Sequence, residues 1–69
     1  MDIKTAERAA LKGLPVTVRR PGMNPIKYSH IKDIILTPKN GRFIMNLRLA
    51  DMVQGVTETG IENVEITEE

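Results

Sequence analysis

Apolar and polar residues alternate most strictly on either side of Asn40-Gly41, and the alternation predicts one long hairpin from Ile26 to Asp51. Asn-Gly between two apolar runs favours a two-residue type I′ turn, because both central residues need positive φ. Pairing outward from that turn sets Lys39 opposite Arg42 and Pro38 opposite Phe43. One face then holds Phe43, Met45, Leu47 and Leu49 against Pro38, Leu36 and Ile34, a core face with period two. The other face pairs Asp33 with Arg48, Ile35 with Asn46 and Thr37 with Ile44. It reads as partly solvated, with one opposite-charge contact worth about a few tenths of a kcal/mol. Pro38 has no N–H to donate, so it must occupy a non-hydrogen-bonded pair or an edge.

The alternation breaks once. Carried further, it would put Lys32 on the core face opposite Leu49 and turn Ile31 outward, and a β-bulge between Ile31 and Asp33 repairs this. A bend there would let a small sheet curl toward a barrel. A rival reading makes Pro25 to Leu36 a helix, with Asn24 as N-cap, Pro25 at the first helical position and Tyr28, Ile31 and Ile35 near one face. The β-branched isoleucines and the strand after the turn favour the bent strand.

The flanks supply shorter elements. Asp2 to Lys12 reads as a helix with Asp2 as N-cap, Gly13 as its stop and a narrow stripe of Ile3, Ala6, Ala10 and Leu11. At about three turns it is marginal alone, so it must dock on the sheet, where it would cover an open barrel end. Leu14 to Arg19 is a strand with Leu14, Val16 and Val18 inward and Thr17 and Arg19 outward. The loop Arg20-Pro21-Gly22-Met23-Asn24-Pro25 follows, rich in turn residues and holding Met23 beside two arginines. Gly55 turns the chain into a short strand, Thr59-Gly60 interrupts it, and Ile61 to Ile66 reads as a helical turn into a last strand. The pattern therefore predicts a mainly β (α+β) single domain over 1–69. A helix over 2–12 would precede a small SH3-like barrel of about five strands over 14–67, with 68–69 as a mobile tail.

The run Leu14-Pro15-Val16-x-Val18, then Tyr28-x-x-Ile31-x-x-Ile34, Asn40-Gly41-Arg42-Phe43, Leu49-x-Asp51 and Asn63-Val64-x-Ile66 resembles short SH3-like barrel proteins of Gram-positive bacteria, often encoded on mobile elements. The shared features are strand patterns spread over most of the chain. The resemblance implies an accessory binding module of uncharacterised role and transfers no site residues.

With 69 residues and no cysteine, the chain has a thin stability margin, no disulfide and no thiolate metal site. Dimerisation would help it, and a reducing, cytoplasmic setting fits. The first residues lack a basic stretch leading into an apolar one, and no run is long enough to span a bilayer, so neither a signal peptide nor a membrane contact is expected. The net charge of +1 conceals an asymmetry. All ten Lys and Arg fall in residues 1–48 with three acids, and six acids fall in residues 49–69. Folding should interleave and largely neutralise the two segments.

Chemistry is sparse. His30 is the sole histidine, Ser29 beside it should point to the opposite strand face, and no metal-ligand spacing or cofactor motif occurs. Gly55 to Gly60 has the glycine spacing of a phosphate loop but lacks its lysine. The expectation is a non-enzymatic module with no cofactor. It would bind a protein partner, or itself, through Arg19 and the Arg20–Pro25 loop, with Arg20 and Met23, or through an open strand edge. The alternative is nucleic-acid backbone binding, with Arg19, Arg20, Lys32, Lys39 and Arg42 gripping phosphates from a basic hairpin face.

Overall fold

A computed structural model describes residues 1–67 and measures 38 × 30 × 20 Å. Helix α1 (Ile3–Lys12) is followed by β1 (Val16–Val18), β2 (Ile26–Tyr28), β3 (His30–Lys39), β4 (Arg42–Asp51) and β5 (Gly55–Gly60). A 3-10 turn over Ile61–Asn63 then leads into β6 (Val64–Ile66). The strands form two antiparallel three-stranded sheets, ordered β2-β1-β6 and β3-β4-β5. Glu68 and Glu69, expected as a mobile tail, lie outside the described residues.

The fold is mainly β with one short helix, but the expected closed barrel of about five strands does not form. Six strands are present, and no ladder joins the two sheets among the described residues. Closing the sheets into a barrel would need edge strands long enough to bond across both seams, and the edge strands β2 and β6 have only three residues each. The chain crosses between sheets twice, at Ser29 and at the 3-10 turn. Ser29 N donates to Ala50 O at 3.0 Å, and Arg19 N to Asn63 O at 2.8 Å.

From Ile26 onward the stretch Pro25 to Leu36 is strand with a corner at Ser29, not a helix. The β3–β4 register is the one that the Asn40-Gly41 turn dictates, with Pro38 opposite Phe43, Leu36 opposite Met45 and Ile34 opposite Leu47. The register shifts between Ile31 and Asp33, so the bulge returns Ile31 to the core and leaves Lys32 exposed. Asn40 and Gly41 adopt φ 52° and 77°, the left-handed conformations of a type I′ turn.

Asp2 caps α1 by accepting from Thr5 N at 2.8 Å, and Gly13 closes the helix by donating to the carbonyls of Ala10 and Ala9. The expected apolar stripe holds at Ala6 and Ala10, which meet the core, but not at Ile3 and Leu11. Ala6 and Ala9 are fully buried, and Ile3 and Leu11 face solvent. Only methyl side chains fit where the helix backbone lies close to the sheet, so the small residues define the docking face. The core is completed by Val16, Val18, Tyr28, Ile31, Leu47, Leu49 and Val64.

Two further expectations change. Thr17 lies on the face opposite Val16 and Val18 but is only 4 % exposed. It occupies the middle strand between Lys27 and Glu65, and its hydroxyl shares a 2.6 Å bond with that of Thr67. Thr59-Gly60 does not interrupt β5, because Thr59 pairs with Leu47 and Gly60 with Asn46 on β4.

Candidate functional site: the distal hairpin and the neighbouring loops

The β3–β4 hairpin is uniform in sequence pattern but not in surroundings. Strand β5 backs β4 only from Asn46 to Asp51, so the turn-proximal part is a two-stranded ribbon. On its inner face Phe43 is 69 % exposed and Leu36 56 %. The expected core face therefore buries Leu47 and Leu49 but leaves Phe43, Leu36 and Pro38 in solvent. The correction has a geometric cause. Ten-residue strands of about 33 Å outrun the three- to six-residue strands and the ten-residue helix of about 15 Å that could cover them. Ile44 is exposed on the other face, and Lys39 and Arg42 stand as cross-strand neighbours at the tip.

A two-residue hairpin closes on a pair that exchanges both backbone bonds. With Lys39–Arg42 as that pair, alternation directs the peptide groups of Thr37, Ile35 and Asp33 toward β4. It turns those of Pro38, Leu36 and Ile34 toward the free edge. Pro38 thus loses no ladder bond, and its missing N–H lies on the edge side.

The Arg20–Pro25 loop opens with a tight turn. Met23 N donates to Arg20 O at 3.1 Å, across Pro21 and Gly22 with φ 75° at the glycine, the pattern of a type II turn. Met23 is 56 % exposed, held outward by a rigid turn.

The five candidate phosphate contacts come from separate parts of the fold. Arg19 forms an ion pair with Glu65 across β1 and β6, and Arg20 begins the loop. Lys32 sits at the bulge, and Lys39 and Arg42 at the tip. From bulge to tip the strand runs about 23 Å. The Arg19–Glu65 pair also joins the basic and acidic segments of the chain, as does the bond from Asn46 Nδ2 to Glu58 at 2.9 Å beside Arg48.

A cleft of about 680 Å³ on the outer face of the β2-β1-β6 sheet joins Arg19 to residues that sequence reasoning missed, among them Thr17, Lys27, Glu65 and Thr67. Its polar groups largely satisfy one another, through the Arg19–Glu65 pair and the Thr17–Thr67 hydroxyl bond. Exposed Met52 and Val53 project from the β4–β5 turn. That turn is held by Asp51, whose carboxylate accepts from Val53 N at 2.9 Å and Gln54 N at 3.1 Å. These backbone donors, Gln54 first, hold the Asp51 carboxyl below its ordinary value of 3.8. The Thr5 side chain and backbone do the same for Asp2.

Ser29 and His30 are not on opposite faces, as strict strand alternation would have them. Ser29 Oγ lies 3.0 Å from His30 Nδ1 because Ser29 occupies the corner between β2 and β3. The same hydroxyl donates to Ala50 O at 2.8 Å, so Ser29 bridges the imidazole and a backbone carbonyl of β4. The contact clamps the corner.

Among the described residues no helix is long and apolar enough to cross a membrane. No family model matches the chain, and no curated protein or solved structure shows significant similarity to it.

Proposed function

We propose that the chain is a non-enzymatic binding module that takes a protein partner along the open edge of β3 and the exposed apolar residues beside it. One observation carries this reading: among the described residues the distal ribbon has a free strand edge and solvent-exposed Leu36 and Phe43, with no third strand against it. An extended segment added to such an edge gains main-chain hydrogen bonds, and apolar side chains on one face supply selectivity. The Arg20–Pro25 loop, with Arg19, Arg20 and Met23, is a second contact area on the same reading. The strand order β2-β1-β6 with β3-β4-β5, and a single strand bent at Ser29, support placing the fold as an open variant of the SH3-like barrel. The same strand patterns support kinship with the short Gram-positive proteins, and the lack of cysteine supports a cytoplasmic setting.

The test is an array of short extended peptides probed with the wild-type chain and with Leu36→Pro, which removes the outward N–H of Leu36 without touching the β3–β4 ladder. Peptides with alternating apolar residues should bind the wild type and lose their signal with the variant. If no peptide distinguishes the two chains, edge recognition fails.

A second reading rests on the tip, where Lys39 and Arg42 are adjacent and the ribbon carries no acid between Asp33 and Arg48. Such a pair suits nucleic-acid phosphates. Titration with a short duplex should then show affinity that falls with salt, and Lys39→Ala or Arg42→Ala should each lower the salt slope by about 1. Salt-independent or absent shifts at both residues would remove this reading.

A further inference from the structure

Resting on the open-edge reading above, we infer that the partner of the β3 edge is a second copy of the same chain, paired antiparallel about a two-fold axis at Leu36. The residues along β3 are self-complementary around that position. With the axis there, Leu36 faces Leu36 of the second copy, Ile34 faces Pro38, Ile35 faces Thr37 and Asp33 faces Lys39. Opposite charges meet at both ends, and Ile34, Leu36 and Pro38 stay together on the inner face. An axis at Ile35 instead sets Asp33 opposite Thr37, and one at Thr37 sets it opposite Gly41. The two-fold at Leu36 is the position that gives Asp33 a cation.

The backbone fits the same axis. Ile34, Leu36 and Pro38 direct their peptide groups to the free edge, so the two Leu36 residues exchange both bonds and each Ile34 N–H reaches a Pro38 carbonyl. Pro38 cannot return the bond. Four of the six positions in the new ladder are thus filled, which predicts a weak, concentration-dependent dimer and not an obligate one. The two β3-β4-β5 sheets would become one six-stranded sheet. On its outer face Glu58, Arg48 and Asp33 of one copy continue into Lys39 and Arg42 of the other. Asp33 already bonds Arg48 at 3.2 Å, so it would sit between two cations. On the inner face the pairing covers part of Leu36, which the lone chain leaves 56 % exposed.

Charge reversal tests the register directly. Sedimentation of the wild-type chain over a concentration series should show a shift toward twice the chain mass. Asp33→Lys alone sets lysine against lysine, and Lys39→Asp alone sets aspartate against aspartate, so each should weaken dimerisation by about tenfold or more. Mixed one to one, the two variants should recover a heterodimer, because both end pairs are again opposite in charge. Asp33→Lys also meets Arg48, so Leu36→Pro serves as the second variant. It should remain folded by circular dichroism and lose the dimer.

A wild-type dimer that survives Leu36→Pro, or single variants that dimerise as well as the wild type, would overturn the proposal by placing the contact elsewhere. A strictly monomeric wild type would overturn it too. Amide exchange of Ile34 and Leu36 then separates the two levels of the reading. Rapid exchange in the monomer leaves the edge open for another partner, whereas protection in the monomer means that the edge is covered within the chain and both readings fall.

Discussion

The two halves of the β3–β4 hairpin obey one rule and meet different fates. Near Ile31 and Asp51 the inward residues Leu47 and Leu49 are fully buried, backed by β5 at the side and by α1 and the other sheet across the core. Near the Asn40-Gly41 turn the same alternation continues through Met45 and Phe43, yet Phe43 is 69 % exposed. Period two assigns a residue to a face of the sheet. It does not say that anything lies against that face, and burial depends on the length of the neighbouring elements.

The largest test of this contrast is a pair of truncations on one strand and one face. Leu47→Ala should destabilise the protein by about 2–5 kcal/mol, through lost transfer energy and a cavity that the tight core cannot close. Phe43→Ala should cost less than about 0.5 kcal/mol in the monomer, as substitutions outside the packed interior do. Urea denaturation at a concentration where the chain is monomeric measures both. Comparable losses would mean that the distal ribbon is packed in solution.

A smaller effect is expected from the turn that must organise the distal half without a core. Gly41 has φ 77° with no atom within 4 Å of the point a Cβ would occupy. Gly41→Ala therefore adds no clash but places an L side chain in the left-handed region, at about 1–2 kcal/mol. The cost should be felt locally. Amide exchange should accelerate for Thr37 through Met45 and change little for Leu47 through Asp51. Uniform acceleration would show one cooperative hairpin instead of two unlike halves.

Smaller still is the Asp33–Arg48 pair, which sits where the two halves meet. At 3.2 Å with both side chains more than 40 % exposed, it should contribute about 0.2–1 kcal/mol, diminished by salt. A double-mutant cycle with Asp33→Ala and Arg48→Ala in the monomer measures it. A coupling well above that range would mean that the pair is shielded from water.

Much of this architecture was legible in the sequence because it follows from local chemistry. Asn40-Gly41 determines the register, the misplacement of Lys32 requires the bulge, and Asp2 and Gly13 bound the helix. What was not legible depends on contacts distant along the chain. Ala6 and Ala9 outrank Ile3 and Leu11 because the helix lies close to the sheet, and Thr17 is buried because Lys27 and Glu65 flank it. The barrel fails to close because three-residue strands cannot carry both seams. The candidate contact surface was half legible. Met23 stands exposed on its turn as the loop residues suggest, but the free ribbon emerges only when the lengths of β4 and β5 are compared. That signal was present in the sequence, as a ten-residue strand followed by a six-residue one.

The two ends of β4 differ in chemistry as well as in packing, and pH should separate them. The proximal end leads into a turn held by the Asp51 carboxylate through Val53 N and Gln54 N, whereas the Asn40-Gly41 turn contains no titratable side chain. Hydrogen bonds to the ionised form hold the Asp51 carboxyl below 3.8, so the folded value is depressed relative to the unfolded chain. Its contribution to stability is therefore complete above 3.8 and is lost as pH falls through the lower folded value. Asp2 has the same sign at the helix N-terminus, and a global acid melt would mix the two. Amide NMR keeps them apart. Val53 and Gln54 should shift and exchange faster below 3.8, and Gly41 should stay flat over the same range. Asp51→Asn should abolish the titration at Val53 and Gln54 while leaving their amides in place. If Gly41 moves in step with Val53, acid is loosening the hairpin as a whole, and the division between its halves is not one that the chain respects.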